Sequence, residues 1–167
     1  DTSIFKNIVN LIQTTFHFYF VGLYTFDVQT QKLIYQYSAA AEVNEERLKD
    51  SVLPGEIPLG KGLVGKSAQL KKEIVSQDVR KASDYREIIG LLDTKSEATF
   101  PLLIDDRLLG ILDVQTNQRE GFHENDLVVL RILADNVADA IDGTQLIEVI
   151  SQRAEQLAAV TEVSRLL

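Results

Sequence analysis

Gly60-Lys61-Gly62-Leu63-Val64-Gly65-Lys66-Ser67 match G-x-x-x-x-G-K-S and also contain G-x-G-x-x-G. In a phosphate loop of that kind, backbone amides cradle the phosphates, the lysine neutralises charge and the serine holds magnesium. Leu102-Leu103-Ile104-Asp105-Asp106 would then pass for the acidic strand that completes a magnesium site. The surroundings argue against it. Such a loop needs a buried parallel strand just upstream and a full crossover helix downstream. Upstream stands Leu53-Pro54-Gly55-Glu56-Ile57-Pro58, and two prolines so close together do not make a central strand. Asp105 and Asp106 fall in a hairpin turn, which a parallel nucleotide-binding sheet does not supply there. We therefore expect a glycine loop capping a short helix, with nucleotide binding or hydrolysis at Gly60 to Ser67 as the competing alternative.

Composition removes further chemistry. The chain has no cysteine, which excludes disulfides, thiolate nucleophiles, zinc–thiolate sites, iron–sulfur clusters and cysteine-attached chromophores. No Ser–His–Asp set, metal cluster or close carboxylate pair stands at a recognisable spacing, so the expectation is a domain that is not an enzyme. Only His17 and His123 are available as haem ligands, and each reads as a structural or solvent-facing residue. Seventeen basic residues against twenty-five acidic ones give a net charge of -8. That balance disfavours nucleic acid and anionic membranes, whose phosphates demand cations. No apolar run approaches the roughly 20 residues of a membrane span, and Asp1 to Asn10 lack a signal-peptide pattern. The expected location is cytoplasmic.

The elements that would position any site follow from periodicity. The 167 residues, 45% of them hydrophobic, suit one domain, or one domain with a long extension. Beginning at Asp1 and stopping inside an apparent helix at Leu167, the sequence reads as a piece of a longer chain. Ile4, Phe5, Ile8, Leu11, Ile12 and Phe16 recur at helical spacing, predicting a helix that ends near Thr15. Phe18 to Asp27 and Lys32 to Ala40 read as strands joined by the polar turn Val28 to Gln31. Asn44 to Asp50 reads as a short charged helix, and Ser51 to Lys66 as a loop region. A short helix over about Leu63 to Lys71, a strand at Glu73 to Ser76 and a helix over Tyr85 to Leu92 come next. Ala98 to Ile104 and Leu108 to Gln115 form the clearest hairpin, around Asp105-Asp106-Arg107. From Glu124 onward the pattern is helical. Tight turns between neighbouring strands imply an antiparallel sheet with helices packed on it, an α+β domain.

In order and spacing these pieces resemble a GAF domain, the sensory module related to PAS domains. Phe20 to Asp27 resembles the family's first strand, and Ile57 to Gly65 its Pro-x-Gly-x-Gly-x-x-Gly segment. Ile74 to Val79 with Asp84-Tyr85 resembles its strand and acidic loop. Phe100 to Ile104 and Leu109 to Gln115, then Phe122 to Leu127 and the helix bearing Leu130, Leu133, Ala134, Val137, Ala138 and Ile141, give the best match. The resemblance implies a central antiparallel sheet of five to six strands. N- and C-terminal helices would pack on one face, and loops and short helices would roof a ligand pocket on the other. It implies a regulatory domain of a bacterial signalling protein, acting as a small-molecule sensor or as a ligand-free dimerisation scaffold. The cofactor or ligand stays unassigned. Phe122 and Asp126 fit part of the cyclic-nucleotide signature, but Leu127 stands where glutamate would, and no Asn-Lys precedes it. Members that reduce methionine sulfoxide need catalytic cysteines, so the resemblance implies no such activity here.

Strand alternation maps the pocket side. Ala98, Phe100, Leu102 and Ile104 share one face of the hairpin, and Glu97, Thr99 and Pro101 the other. Leu112 and Val114 oppose Ile111, Asp113 and Gln115. In chromophore-binding relatives, positions resembling Tyr24, Thr99 and Gln115 point into the pocket, so the resemblance implies those three as ligand-binding residues. Asp113 joins them by alternation, and Asp78 and Tyr85 by their place in pocket-side loops.

Residues 1–142 read as the sensory domain and 143–167 as a signalling helix. Gly143 costs a helix about 1 kcal/mol relative to alanine and marks a weak point or bend. Beyond it Leu146, Ile150, Arg153, Leu157, Val160, Ser164 and Leu167 follow alternating spacings of four and three, a candidate coiled-coil seam. We expect a homodimer through this helix. The helix would pass state to an output domain in the same parent chain, in relatives often a histidine kinase or a cyclic-dinucleotide enzyme.

Overall fold

Two hairpins build the sheet, as their alternation requires. The computed structural model describes residues 3–41, 55–87 and 93–166, without the side chains of 144–149, 151, 153 and 161–166. Strand β1 (Phe20–Asp27) lies antiparallel to β2 (Lys32–Ala40). A short edge strand, β3 (Glu56–Pro58), pairs with β2, and another, β4 (Ile74–Ser76), pairs with β5 (Ser96–Ile104). Strand β6 (Arg107–Thr116) completes the second hairpin with β5 and pairs with β1 on its other side. All pairings are antiparallel, in the order β3-β2-β1-β6-β5-β4. The α+β class is as expected.

Local chemistry closes both turns. The Asp27 carboxylate accepts hydrogen bonds from the Gln29 amide and the Thr30 hydroxyl, each 2.9 Å long. In the second hairpin Asp105 takes a left-handed conformation (φ 53°), which short polar side chains tolerate better than most.

The two faces of the sheet differ in chemistry. Helices α1 (Ser3–Phe16) and the long C-terminal helix cover one of them. There Val9 and Ile12 of α1, and Leu130, Val137 and Ile141 of the long helix, share an apolar core with Val21, Leu23, Phe100, Leu112 and Val114. On the other face α2 (Gly62–Leu70) forms a roof. Its Val64 and Ala68 pack with Tyr24, Leu33, Ile57, Leu108 and Ile111. The long helix, α3, runs from Glu124 to Leu166 without a break at Gly143.

Several expectations need correction. The proline-bearing segment read as loop contains β3, because an edge strand has only one ladder to satisfy and tolerates Pro58. Tyr85 to Glu87 are not helical, and the rest of that expected helix lies outside the described residues, as does the one expected at Asn44 to Asp50. A bulge at Gln36 sends Tyr35 to the roof face, opposite Tyr24, and Tyr37 to the helix face, opposite Leu23. A second bulge at Leu109 buries Leu108 and Leu109 on opposite faces.

At Gly110 the chain leaves no room for a side chain, since a Cβ there would overlap the Tyr24 carbonyl oxygen on β1. Gly110→Ala is therefore expected to cost about 3 kcal/mol or more in a denaturant melt. Gly143→Ala, with nothing near its added methyl, should gain about 1 kcal/mol. An unchanged midpoint for Gly110→Ala would contradict the close approach of β1 and β6.

Candidate functional site: a buried acidic pair

Register brings the polar residues of the roof face together. One row across the sheet reads Ser76, Glu97, Gln115, Phe20, and the next reads Ile74, Thr99, Asp113, Gly22. With strands about 4.8 Å apart, Glu97, Thr99, Asp113 and Gln115 form one patch, and Glu97 is the diagonal neighbour of Asp113. All four are buried.

A hydrogen-bonded chain orders this patch. The Thr94 hydroxyl donates to Gln115 Oε1 at 2.7 Å, which leaves the Gln115 amide nitrogen to donate to Asp113 Oδ2 at 2.9 Å. Tyr85 in turn makes a hydrogen bond with Thr94. The Thr99 hydroxyl is occupied by the Ile74 carbonyl at 3.3 Å. Asp113 Oδ1 is buried and has no donor. The Glu97 carboxyl lies within hydrogen-bond reach of Asp113, and it can donate only if it carries a proton.

Electrostatics follow from that geometry. Burial, and then the neighbouring Asp113, push the proton affinity of Glu97 well above the glutamate range. Burial also raises Asp113, opposed by its hydrogen bonds with Glu97 and Gln115. Tyr24 is pushed up by burial and by the two acids, and Tyr85 is pushed up to about 12, mainly by burial. Among the described residues no cation offsets the pair, and no cluster of three or more metal-ligating side chains occurs. The wall beside Asp113 is aromatic. The Phe20 ring lies over Gly22, where a Cβ would sit 2.9 Å from it, and Tyr24 meets Tyr35 edge-on at 5.9 Å.

A cleft of about 660 Å³ opens along β4, next to this patch. Ile74 and Ser76, the neighbours of Thr99 and Glu97, line it together with Lys66, Asp78, Lys81 and Arg119. Asp78 caps the single 3-10 turn Val79–Lys81 and receives both the Arg80 amide and its guanidinium, at 2.6 to 3.1 Å. Those contacts hold its carboxyl at about 2.

Of the residues chosen from sequence, Tyr24, Thr99, Asp113 and Gln115 thus lie together under the roof, and Tyr85 reaches them through Thr94. Asp78 does not. It lines the cleft along β4, where its carboxylate is held by Arg80. Sequence reasoning missed Glu97 and Thr94. No recognisable spacing announced a carboxylate pair, because Glu97 and Asp113 are sixteen positions apart in sequence and meet only through the hairpin register. Alternation had already placed Glu97 on the face of Thr99, and that was the available signal.

The remaining motifs have structural explanations. Gly60 N donates to the Gly65 carbonyl and Gly65 N to that of Lys61, so the glycine loop spends amides on itself. Ser67 is fully buried and donates to the Lys72 carbonyl at 2.6 Å, while Lys66 pairs with Asp84 at 2.7 Å. Asp126 Oδ2 accepts from the His123 amide at the start of α3, and Phe122 packs into the helix-side core. His17 and His123 are both exposed.

An antiparallel sheet with terminal helices on one face and a roofed polar patch on the other defines the architectural class of this domain. The chain belongs to the GAF domain family, whose profile matches residues 2–142. It is 24% identical over 120 residues to GAF domain-containing protein A of Dictyostelium discoideum, covering 72% of this chain and 68% of that one. Among solved structures, the GAF domain of a phosphoenolpyruvate-protein phosphotransferase from Coxiella burnetii is similar with a TM-score of 0.71. It is 19% identical, over 85% of this chain and 82% of that one. The free methionine-R-sulfoxide reductase of Neisseria meningitidis, solved with its substrate, has a TM-score of 0.70 and is 22% identical, over 84% and 77% of the two chains. The expectation that this chain is not an enzyme is overturned by that likeness. Solved structures with this fold include several such reductases, so the fold itself gives no ground for excluding catalysis. No described helix is long and apolar enough to cross a membrane.

The acidic pair makes stability depend on pH with a definite sign. Glu97 holds its proton more tightly when folded than at the ordinary glutamate value of 4.5. Its contribution is therefore complete below about pH 4.5 and is lost as pH rises through the folded value. Glu97→Gln keeps a donor for Asp113 without the charge. It is expected to raise stability at pH 8 by about 1–3 kcal/mol, or roughly 2–10 °C in Tm, and to flatten the decline above pH 5. Parallel pH profiles for the two proteins would contradict a shared proton.

Proposed function

We propose that this GAF domain binds a small molecule through one ammonium group, which seats beside Glu97 and Asp113. The observation that carries the reading is Asp113 Oδ1, buried without a donor beside a second buried acid. An uncompensated pair of this kind is costly to bury, and a ligand cation supplies both the missing charge and the missing donors. The aromatic wall of Phe20 and Tyr24 suits the short apolar stem of such a ligand. The cleft along β4 is the natural way in, because Ser76 on its wall is paired in register with Glu97. The structurally similar reductase from Neisseria meningitidis holds its substrate, which its name gives as free methionine-R-sulfoxide, an amino acid. Small amino acids and simple amines are thus the class favoured here. We assign the domain a regulatory role in a bacterial cytoplasmic signalling protein, with α3 relaying state to an output domain.

A calorimetric and thermal-shift panel of n-propylammonium, L-methionine and L-methionine sulfoxide tests the ammonium, with N-acetyl-L-methionine as the counterpart that lacks it. A ligand at 100 times its Kd should stabilise the chain by about 2.7 kcal/mol, roughly 5–10 °C. Asp113→Asn should abolish that shift. Equal shifts with N-acetyl-L-methionine, or shifts indifferent to Asp113→Asn, would sink the proposal.

Exposed apolar residues on α3 favour a homodimer through that helix. Ile150 is 59% and Val160 65% exposed, both at seam positions. In sedimentation we expect a dimer that Ile150→Asp with Val160→Asp converts to monomer. A monomer at high micromolar concentration before any substitution would refute it.

A further inference from the structure

We propose that Glu97 and Asp113 form a proton-exchange site: empty, the pair shares one proton, and an ammonium ligand displaces that proton to solvent when it binds. The inference rests on the ammonium reading above and goes beyond it, by specifying the charge that the site holds at each stage.

Register and burial support it: Glu97 lies diagonal to Asp113 on one face of the sheet, and both are buried. Two carboxylates in contact repel and have no hydrogen to share, so contact between them requires a proton on one. Asp113 Oδ2 is already served by Gln115, whose amide is fixed in orientation by the Thr94 hydroxyl. Asp113 Oδ1 is left without a donor, and Glu97 is the acidic neighbour within hydrogen-bond reach of the Asp113 carboxyl. A protonated Glu97 therefore completes the patch, with one net negative charge on the pair. Thr94 and Gln115 act as positioning residues here, because they decide which Asp113 oxygen stays open.

Among the described residues, the groups facing the pair do not offer another source of compensation. From β1 comes Tyr24, from β2 Tyr35 beside it, and from the loop before β5 comes Tyr85 with Glu87 near it. These are phenols held protonated and an additional acid. From β4 comes Ser76, which does not titrate, and Lys66 of the roof helix is engaged by Asp84. An incoming ammonium brings one positive charge and several N–H donors. It makes the Glu97 proton redundant, and that proton leaves to buffer while the ligand's N–H groups bond to the two carboxylates. No bond other than the carboxyl O–H breaks, and charge balances as one cation in and one proton out.

Two consequences follow. Affinity for an ammonium ligand should rise with pH by up to about tenfold per unit while the pair is protonated. It should level off once the pair is ionised, and fall only near the amine's own pKa of roughly 10. The site also favours a monocation over a neutral isostere most strongly at high pH, where an empty pair would carry two charges.

Infrared spectroscopy of the unliganded chain at pH 7 provides the first test. A protonated carboxyl stretch that is present in the native chain and missing in Glu97→Gln supports the proposal. Its absence from the native chain, or its persistence in Glu97→Gln, overturns it, and neither result depends on a ligand. The second is calorimetry with n-propylammonium and L-methionine sulfoxide in buffers of different ionisation enthalpy. Release of about one proton per ligand in the native chain and none in Glu97→Gln supports the exchange. Binding that Asp113→Asn abolishes but that releases no proton overturns the exchange and leaves the ammonium site standing. No binding by either probe, with the infrared band present, overturns the ammonium reading, and with it the exchange.

Discussion

Strand β6 is buried from Leu108 to Thr116, with β1 on one side and β5 on the other, yet Asp113, Gln115 and Thr116 among these residues are polar. Leu112 and Val114 meet the helix-side core, and Asp113 and Gln115 meet the roof. A polar group in such a strand cannot turn to water, so its partners must come from neighbouring strands and the roof. Much of the roof face answers that demand. Thr94 is spent on Gln115, Gln115 on Asp113, and Asp113 in turn is left with Glu97 as its neighbour. The apolar core on the opposite face holds β6 in register firmly enough for one uncomfortable contact to persist.

The same alternation explains what could be read in advance. Both hairpins, their turns and the helix-side core are local patterns, and local patterns survive in a sequence. The bounds of β2 were legible residue for residue, because Lys32 to Ala40 stand between a turn and a charged run. Strand β3 was not, since prolines exclude a strand only from a sheet interior. The bulge at Gln36 was equally invisible. Alternation places Tyr35 and Tyr37 on one face, and one extra residue parts them. Glu97 was hidden for a different reason. A glutamate on the polar side of a half-apolar strand looks like a solvated residue, and only burial under the roof turns it into a strained acid. Asp78 shows the converse, a carboxylate in the expected loop whose nearest guanidinium claims it first.

The glycine segment carries a related lesson about motifs. Gly60 to Ser67 satisfies the letters of a phosphate loop, but the chemistry of such a loop resides in free amides and an open hydroxyl. Here amides close a turn and the hydroxyl of Ser67 closes another. The likeness to sulfoxide reductases has to be read with the same attention to atoms. The fold is shared, while thiol chemistry is closed to a chain without cysteine. What the two have in common is the fold of the sheet and the helices that cover it.

Helix α3 is bolted to the sheet at two places. Arg131 grips Glu73, just before β4, through two 2.7 Å bonds, and Arg107 at the β5–β6 turn holds Asp142 at 2.6 Å. The span between the bolts is about 17 Å, and the helix runs on for about 36 Å beyond the second. Such a helix is a cantilever with a mechanical advantage near two. A tilt of about 5° within the clamped span sweeps the far tip through about 3 Å. A displacement within the clamped span is thereby magnified about twofold at the far tip.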